Sequence, residues 1–179
     1  MGIGYKLLRI KRYEDGSYRL FPLYVFANEE TKIGAKLDAK NGPLTNSGRV
    51  RSRLGELSYR PGWHITTCPL ANQIYCRKNG IKYQRPDTCW TEVWYSDEID
   101  YTLVAHENGV NKKTGNFSAV KACLREIPVN GFYYYKTNPQ AEVDWLIAGS
   151  IKILRVLSNE EVAELCRRNG VTPQPVLEV

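Results

Sequence analysis

At 179 residues, with 42% apolar and 25% charged side chains, the chain has the make-up of one globular domain that buries a core without staples, and not that of a disordered tail. Its net charge of +6 allows a nucleotide, nucleic-acid or acidic-protein partner, but no single concentrated basic stripe decides among them. The N-terminal MGIGYKLLRIKRYEDG lacks the apolar core of a signal peptide and no run nears the roughly 18–20 apolar residues of a membrane span, so a cytoplasmic protein without membrane contact is expected.

The five cysteines are odd in number and widely spaced, with no C-x-x-C pair, and the two histidines are far apart in sequence. Reduced, mostly buried thiols and no metal site are the expectation.

In chain order, Tyr5–Ile10 (YKLLRI) reads as a first strand and Tyr18–Phe26 (YRLFPLYVF) as a second. Glu14-Asp15-Gly16-Ser17 between them is a hairpin turn. Pro22 removes a backbone donor, which places the second strand at an edge or on a bulge. Arg9, near the end of the first strand, is either a solvated strand residue or an anion ligand. Thr31–Asp38 is a short strand or an irregular approach to a loop.

From Ala39 to Gly55 the composition is that of a flexible loop. Lys40, Arg49, Arg51 and Arg53 make it basic, suited to a phosphate-bearing partner or simply solvated. The stretch Leu57–Tyr75 (LSYRPGWHITTCPLANQIY) follows. Pro61-Gly62 sets a turn that presents Trp63 and His64 on opposite faces of a short strand. Thr66 or Thr67 then caps a helix expected to begin at Pro69-Leu70-Ala71-Asn72. His64, beside Arg60, Trp63 and two hydroxyls, is either a structural hydrogen-bonder or a catalytic group.

Arg77–Asp87 reads as a second basic loop, and Cys89–Tyr95 (CWTEVWY) as a strand with Trp90, Glu92 and Trp94 on one side. Glu92 is either at an exposed edge or a carboxylate in an apolar wall. Thr102–Val129 carries little signal beyond loop, with Ser118–Leu124 a short helix or single turn. Phe132–Lys136 (FYYYK) is a strand with tyrosines on both faces. Glu142–Ile147 and Ile151–Leu157 are two strands joined by Ala148-Gly149-Ser150. Ser158-Asn159-Glu160-Glu161 is a capping box opening a helix to about Arg168, with Gly170 as its stop.

These elements give an α+β protein, mainly antiparallel sheet with a few short helices and a C-terminal helix. It forms one domain over residues 1–172, with a loose tail at 173–179.

The combination of YKLLRI, LSYRPGWHITT, CWTEVWYSDEIDY and YYYKTNPQAEVDWLIAGSIKILRVLS resembles an uncharacterised domain family of bacteriophage and mobile-element proteins of gut bacteria. The likeness spans most of the chain and implies such an origin and a bacterial cytoplasm, with no activity attached. The order of elements also looks like that of the ADP-ribosyltransferase superfamily. There an early strand carries Arg or His, a middle strand ends in Ser/Thr before a helix, and a late Gln/Glu-x-Glu opens a strand pair. The matching positions are Arg9, Thr66-Thr67 and Gln140-Ala141-Glu142.

That resemblance implies NAD as cofactor. Glu142 would stabilise the oxocarbenium-like state as nicotinamide leaves, with Thr66 and Thr67 supporting it. Arg9 or Arg60 would hold the pyrophosphate, and Trp63 or a tyrosine such as Tyr133 would stack on the nicotinamide ring, with Gln140 beside it. Ile-Thr-Thr in place of Ser-Thr-Ser, and a first strand without Arg-Gly, depart from the family's pattern. Two further readings stand beside it. One is a binding protein that blocks a host defence protein or grips nucleic acid through Arg49, Arg51, Arg53 and stacked tyrosines. The other is a metal-independent ribonuclease with His64 or His106 as base and Lys136 as stabiliser.

Overall fold

The computed structural model describes residues 2–178. In chain order its elements are β1 Gly2–Arg12, β2 Tyr18–Phe21, β3 Lys36–Asp38, β4 Val50–Ser52, β5 Gly55–Leu57, β6 Trp63–Thr66, β7 Cys76–Lys78 and β8 Ile81–Tyr83. Then follow β9 Thr88–Tyr95, β10 Ile99–Asp100, α1 Thr102–Asn108, β11 Gly131–Tyr135, β12 Trp145–Ala148, β13 Ser150–Val156 and α2 Asn159–Arg168. Nine strands form one sheet in the order β10-β11-β12-β6-β1-β9-β13-β3, with β2 added alongside β1. Every pairing in it is antiparallel except β10 with β11. The fold is therefore α+β, sheet-dominated, with two short helices.

The sheet curls on itself. Strands β6 and β3 stand four steps apart, about 19 Å in a flat sheet at roughly 4.8 Å per strand. Yet the Trp63 indole Nε1 donates to the Leu37 carbonyl at 2.9 Å. The enclosed face packs Leu8, Ile65, Val93, Leu146, Ile151 and Ile153, none of them exposed. Each such burial is worth about 1.5–3 kcal/mol. On the opposite face Leu7 and Trp90 pack against Leu70, Ala71 and the inner side of α2. A third cluster joins Ala105 of α1 to Leu124, Tyr133 and Ile147.

Several expectations change. The second strand stops at Phe21 because Pro22 ends the ladder and Phe26 turns at φ +54°. The helix expected at Pro69 does not form. Leu70 N bonds the Cys68 carbonyl and Ile74 N the Ala71 carbonyl in successive turns, and both threonine hydroxyls are engaged elsewhere, Thr66 Oγ1 on Tyr5 O and Thr67 Oγ1 on Asp144 O. The two basic loops contain ribbons: β4–β5 in the first and β7–β8 in the second. The latter turns on Asn79-Gly80, both at positive φ, the dipeptide that favours a type I′ hairpin. Thr102–Asn108 is helical, and Ser118–Leu124 is not.

Glu142 lies ahead of β12 and not within it. Residues 173–178 are not loose: Gln84 N bonds Pro175 O at 2.8 Å and Gln174 Nε2 reaches Ile74 O at 3.2 Å, while Val179 falls outside the described residues. The Ser158 capping box and α2 form as read. Among the described residues no helix is long and apolar enough to cross a membrane, and no group of three or more His, Cys, Asp or Glu could hold a metal ion.

Candidate functional site

Strands β1 and β6 share one register pair, Tyr5 with Thr66. Beyond it they part. The second half of β1 pairs with β2, from Arg9↔Phe21 to Arg12↔Tyr18, while β6 stays on β12 along its whole length. Between Lys6–Leu8 on one side and Trp63–His64 on the other the sheet is open. A cleft of about 770 Å³ enters there, and this lies in the range of small-molecule sites.

Lys6 bridges the opening. Its Nζ donates to the His64 carbonyl at 2.9 Å and lies 5.5 Å from the Trp63 ring centroid. Burial lowers its pKa to about 8. Behind it, His64 is locked by two contacts, Nε2 to the Arg60 carbonyl at 3.2 Å and Nδ1 to the Tyr135 hydroxyl at 2.9 Å. A carbonyl only accepts, so Nε2 carries the proton and Nδ1 accepts from Tyr135. Burial first, then the charges of Lys6 and Arg60, lower the His64 pKa to about 4. The imidazole is thus neutral near pH 7 with its lone pair in use.

Arg60 lines the same cleft, its guanidinium 5.7 Å from the Tyr135 ring centroid and its Nε buried without a partner. Pro61-Gly62 positions it: Gly62 sits at φ +126°, and a Cβ there would come within 2.2 Å of Ile147. Aromatic rings of Tyr24, Tyr59, Trp63, Tyr135 and Trp145 make up much of the wall. The ionic lining is Lys6, Lys36, Lys40, Arg49 and Arg60 against Glu29, Glu30 and Asp38, a net of two positive charges. Lys40 holds Glu29 at 2.5 Å and Lys36 holds Asp38 at 3.5 Å. Among the described residues Lys6 and Arg60 have no carboxylate partner.

The residues singled out by sequence divide accordingly. Arg60, Trp63, His64, Thr66 and Arg49 meet at the cleft, although Thr66 is 1% exposed and spends its hydroxyl on Tyr5 O. Arg9 does not reach it. Its guanidinium donates to the Ala27 carbonyl and lies over Phe21, anchoring the loop that forms one wall. Thr67 is exposed on the outer side, its amide on Asp144 O at 3.1 Å. Tyr133 is 0% exposed in the third core cluster, where burial raises the pKa of its hydroxyl.

Gln140 lies in an exposed turn, its amide on Asn138 Oδ1. Glu142 is exposed and accepts from Asn72 Nδ2 at 3.0 Å. It does not line the cleft, although Gln73 and Trp145, close to this pair in sequence, do. Arg51 is exposed in register with Glu56, and Arg53 is tied to Leu23 O and to Asp87. Glu92 is paired with Arg155 at 3.5 Å and is no lone carboxylate. His106 stacks on Phe117 at 4.5 Å, away from His64 and its partners.

Lys6 and Trp145 are cleft residues that the sequence did not single out, and Tyr135 stood out only within the run Tyr133–Tyr135 as a ring for stacking. A lysine beside Leu7-Leu8 in the first strand, YKLLRI, was the available signal for the first. For Tyr135, period-2 alternation puts it on the face of Tyr133, nearer the strand end and so nearer solvent.

No family model, no curated protein and no solved structure matches the chain.

Proposed function

We propose that the cleft between β1 and β6 binds an anionic nucleotide, NAD foremost, in an ADP-ribosyltransferase-like protein of phage or mobile-element origin. One observation carries the binding half: Lys6 and Arg60 face a ring-lined cleft with no carboxylate, among the described residues, to neutralise them. A half-buried ammonium is held at a desolvation cost that an incoming phosphate offsets. The buried Arg60 Nε, without an acceptor, calls for the same kind of ligand. Tyr135, Trp63 and Trp145 supply faces and edges on which a planar base or nicotinamide ring packs.

The strand order supports the ADP-ribosyltransferase likeness, since β1, β6 and β12 lie side by side. Those strands carry Arg9, end at Thr66-Thr67 and follow Gln140-Ala141-Glu142. The phosphate-holding role passes from Arg9 to Lys6, three positions earlier on the same strand. Transfer would rest on Glu142, which stands outside the cleft lining, so the nicotinamide ribose would have to lie at the Gln73 and Trp145 edge of the cleft for this carboxylate to stabilise positive charge as the bond to nicotinamide breaks. His64 contributes as the prop that fixes Tyr135 and Arg60 and not as a base, because its lone pair already accepts from Tyr135. The same contact weighs against a ribonuclease built on His64.

The test is calorimetric titration with NAD, followed by mass spectrometry for free nicotinamide. Saturable binding lost in Arg60→Ala supports the nucleotide site, and nicotinamide release supports transfer. No binding at millimolar NAD, or binding unchanged by Arg60→Ala, overturns the assignment.

A further inference from the structure

Two ribbons carry one arrangement twice. In β1–β2, Lys11 is in register with Arg19. Lys11 Nζ and Arg19 Cζ lie 5.5 and 5.6 Å from the ring centroid of Tyr13. In β7–β8, Arg77 is in register with Lys82. Arg77 Cζ and Lys82 Nζ lie 5.5 and 4.5 Å from the centroid of Tyr75. Tyr13 is two residues past Lys11 and Tyr75 two before Arg77, so each ring shares the face of its cation pair.

Arg12 and Lys78 extend the two sets. All six cations are exposed. Among the described residues none forms an ion pair with a carboxylate, although the chain holds 19 Asp and Glu. The ribbons share one end of the sheet: Arg9 is in register with Thr88, Ile10 N donates to Asp87 O at 2.8 Å, and β8 ends a few residues before Asp87. None of the six lines the β1–β6 cleft.

Folding gives no reason for this pattern. Like charges directly opposite on a ribbon repel, and a ring beneath them attracts each cation without cancelling its charge. An external polyanion removes the repulsion. We propose that the two ribbons form a nucleic-acid-binding surface on which Lys11, Arg12, Arg19, Arg77, Lys78 and Lys82 contact the phosphodiester backbone without reading sequence.

The tyrosine rings hold the cations extended, and a two-stranded ribbon has the width to enter a major groove. An anionic membrane is the other large polyanion, and the ribbon tips argue against it. They are Glu14-Asp15-Gly16 and Asn79-Gly80, and in the paired stretches 9–21 and 76–83 Ile81 alone among the aliphatic side chains is more than a third exposed. That is no apolar face for a bilayer boundary.

Fluorescence anisotropy with labelled mixed-sequence duplex and single-stranded oligonucleotides, over a salt series, tests the surface. Wild type should bind, with log affinity falling linearly in log salt. The double variants Lys11→Gln/Arg19→Gln and Arg77→Gln/Lys82→Gln should each bind about tenfold or more weakly, with the duplex slope about two units shallower. Their melting temperatures should hold or rise, because each removes a like-charge pair. Should either melt early, the single variants Arg12→Gln and Lys78→Gln carry the same test, each lowering the slope by about one. Arg60→Ala should bind oligonucleotide as wild type does, so failure of the cleft and of this surface stay distinct. Salt-independent binding, variants equal to wild type, or binding to phosphatidylserine vesicles without binding to oligonucleotide overturns the proposal.

Discussion

The Lys6 ammonium donates to the His64 carbonyl at 2.9 Å across the opening between β1 and β6. Burial and the Lys6 charge hold the His64 pKa down near 4, and burial holds that of Lys6 down near 8. Two groups whose charged forms burial disfavours, one still a cation near pH 7 and the other neutral there, stand in the wall of the cleft that would take an anion.

Lys6 is a stability cost that binding explains. Its folded pKa of about 8 lies below the ordinary 10.5, so the unfolded chain binds more protons between those values and stability rises with pH across that window. The shift corresponds to at most about 3 kcal/mol. Replacing it leaves the His64 carbonyl without its donor, about 1–2 kcal/mol in the other direction. Lys6→Met should therefore raise stability by about 1 kcal/mol in denaturant titrations while weakening NAD binding tenfold or more. Lower stability with intact binding would sink the assignment.

The same group sets a pH dependence for binding. Affinity for an anion should fall as pH rises through about 8, where free Lys6 loses its proton. Lys6→Arg, which stays charged, should flatten that profile. Calorimetric Kd values taken on either side of the transition decide it, and equal slopes in the two proteins remove Lys6 from the site.

His64 works in the acid direction. Its folded pKa of about 4 lies below the unfolded value near 6.5, so in that interval the unfolded chain takes up a proton that the folded chain refuses. Stability contributed by neutral His64 is complete above about 6.5 and is lost as pH falls toward 4. The loss should reach about 2–3 kcal/mol. Exposed carboxylates titrate in part of the same range, so the comparison is with His64→Gln, whose stability should fall less steeply between those pH values. Parallel curves for the two proteins would show that His64 is not the acid-sensitive group.

Sequence carried three of the longer strands of the sheet, although burial along them does not strictly alternate because both faces of β1 and β9 are covered. CWTEVWY and IKILRVL coincide with β9 and β13 to within a residue and YKLLRI lies inside the longer β1, Gly2–Arg12, because strand-forming residue types are continuous in all three. The capping box at Ser158 was equally legible, being wholly local. What failed was non-local. Thr66 and Thr67 look like caps, but Tyr5 and Asp144, far away in sequence, take their hydroxyls. Arg9 and Lys6 both read as cations on the first strand, and only the parting of β1 from β6 decides that the second faces the cleft. The hairpin at Asn79-Gly80 is local, but the cations Arg77, Lys78, Lys82 and Arg85 give that stretch the composition of a loop and mask its turn signal.

Glu142 separates transfer from binding. It is exposed, and its side-chain contact from Asn72 Nδ2 can also be accepted by a glutamine. Glu142→Gln should therefore leave stability within about 0.5 kcal/mol. If Glu142 stabilises the charge that develops at the ribose, nicotinamide release should fall by a factor of about 100–1,000 while NAD affinity changes little. Unchanged release would assign the chemistry elsewhere, with Glu30 to mutate next, since the other two carboxylates of the cleft lining, Glu29 and Asp38, are paired with Lys40 and Lys36.

Gly149 links β12 to β13 at the point where the two halves of the sheet meet. Its amide donates to Gly131 O at 2.9 Å and its carbonyl accepts from Ala39 N at 2.7 Å. A Cβ there would lie 1.9 Å from Pro128 O and 2.7 Å from Pro128 C, both backbone atoms that no side-chain rotation can clear. The hairpin or the Pro128 segment must move, and either movement strains the contact that closes the sheet. Gly149→Ala should cost about 3 kcal/mol or more. Gly16 is the control: it has φ +83° and nothing within 4 Å of the place a Cβ would take, so Gly16→Ala meets only the left-handed backbone penalty of about 1–2 kcal/mol. Equal losses in the two variants would mean that the Pro128 segment yields freely. The curled sheet would then be held by its apolar core, and not by the packing at Gly149.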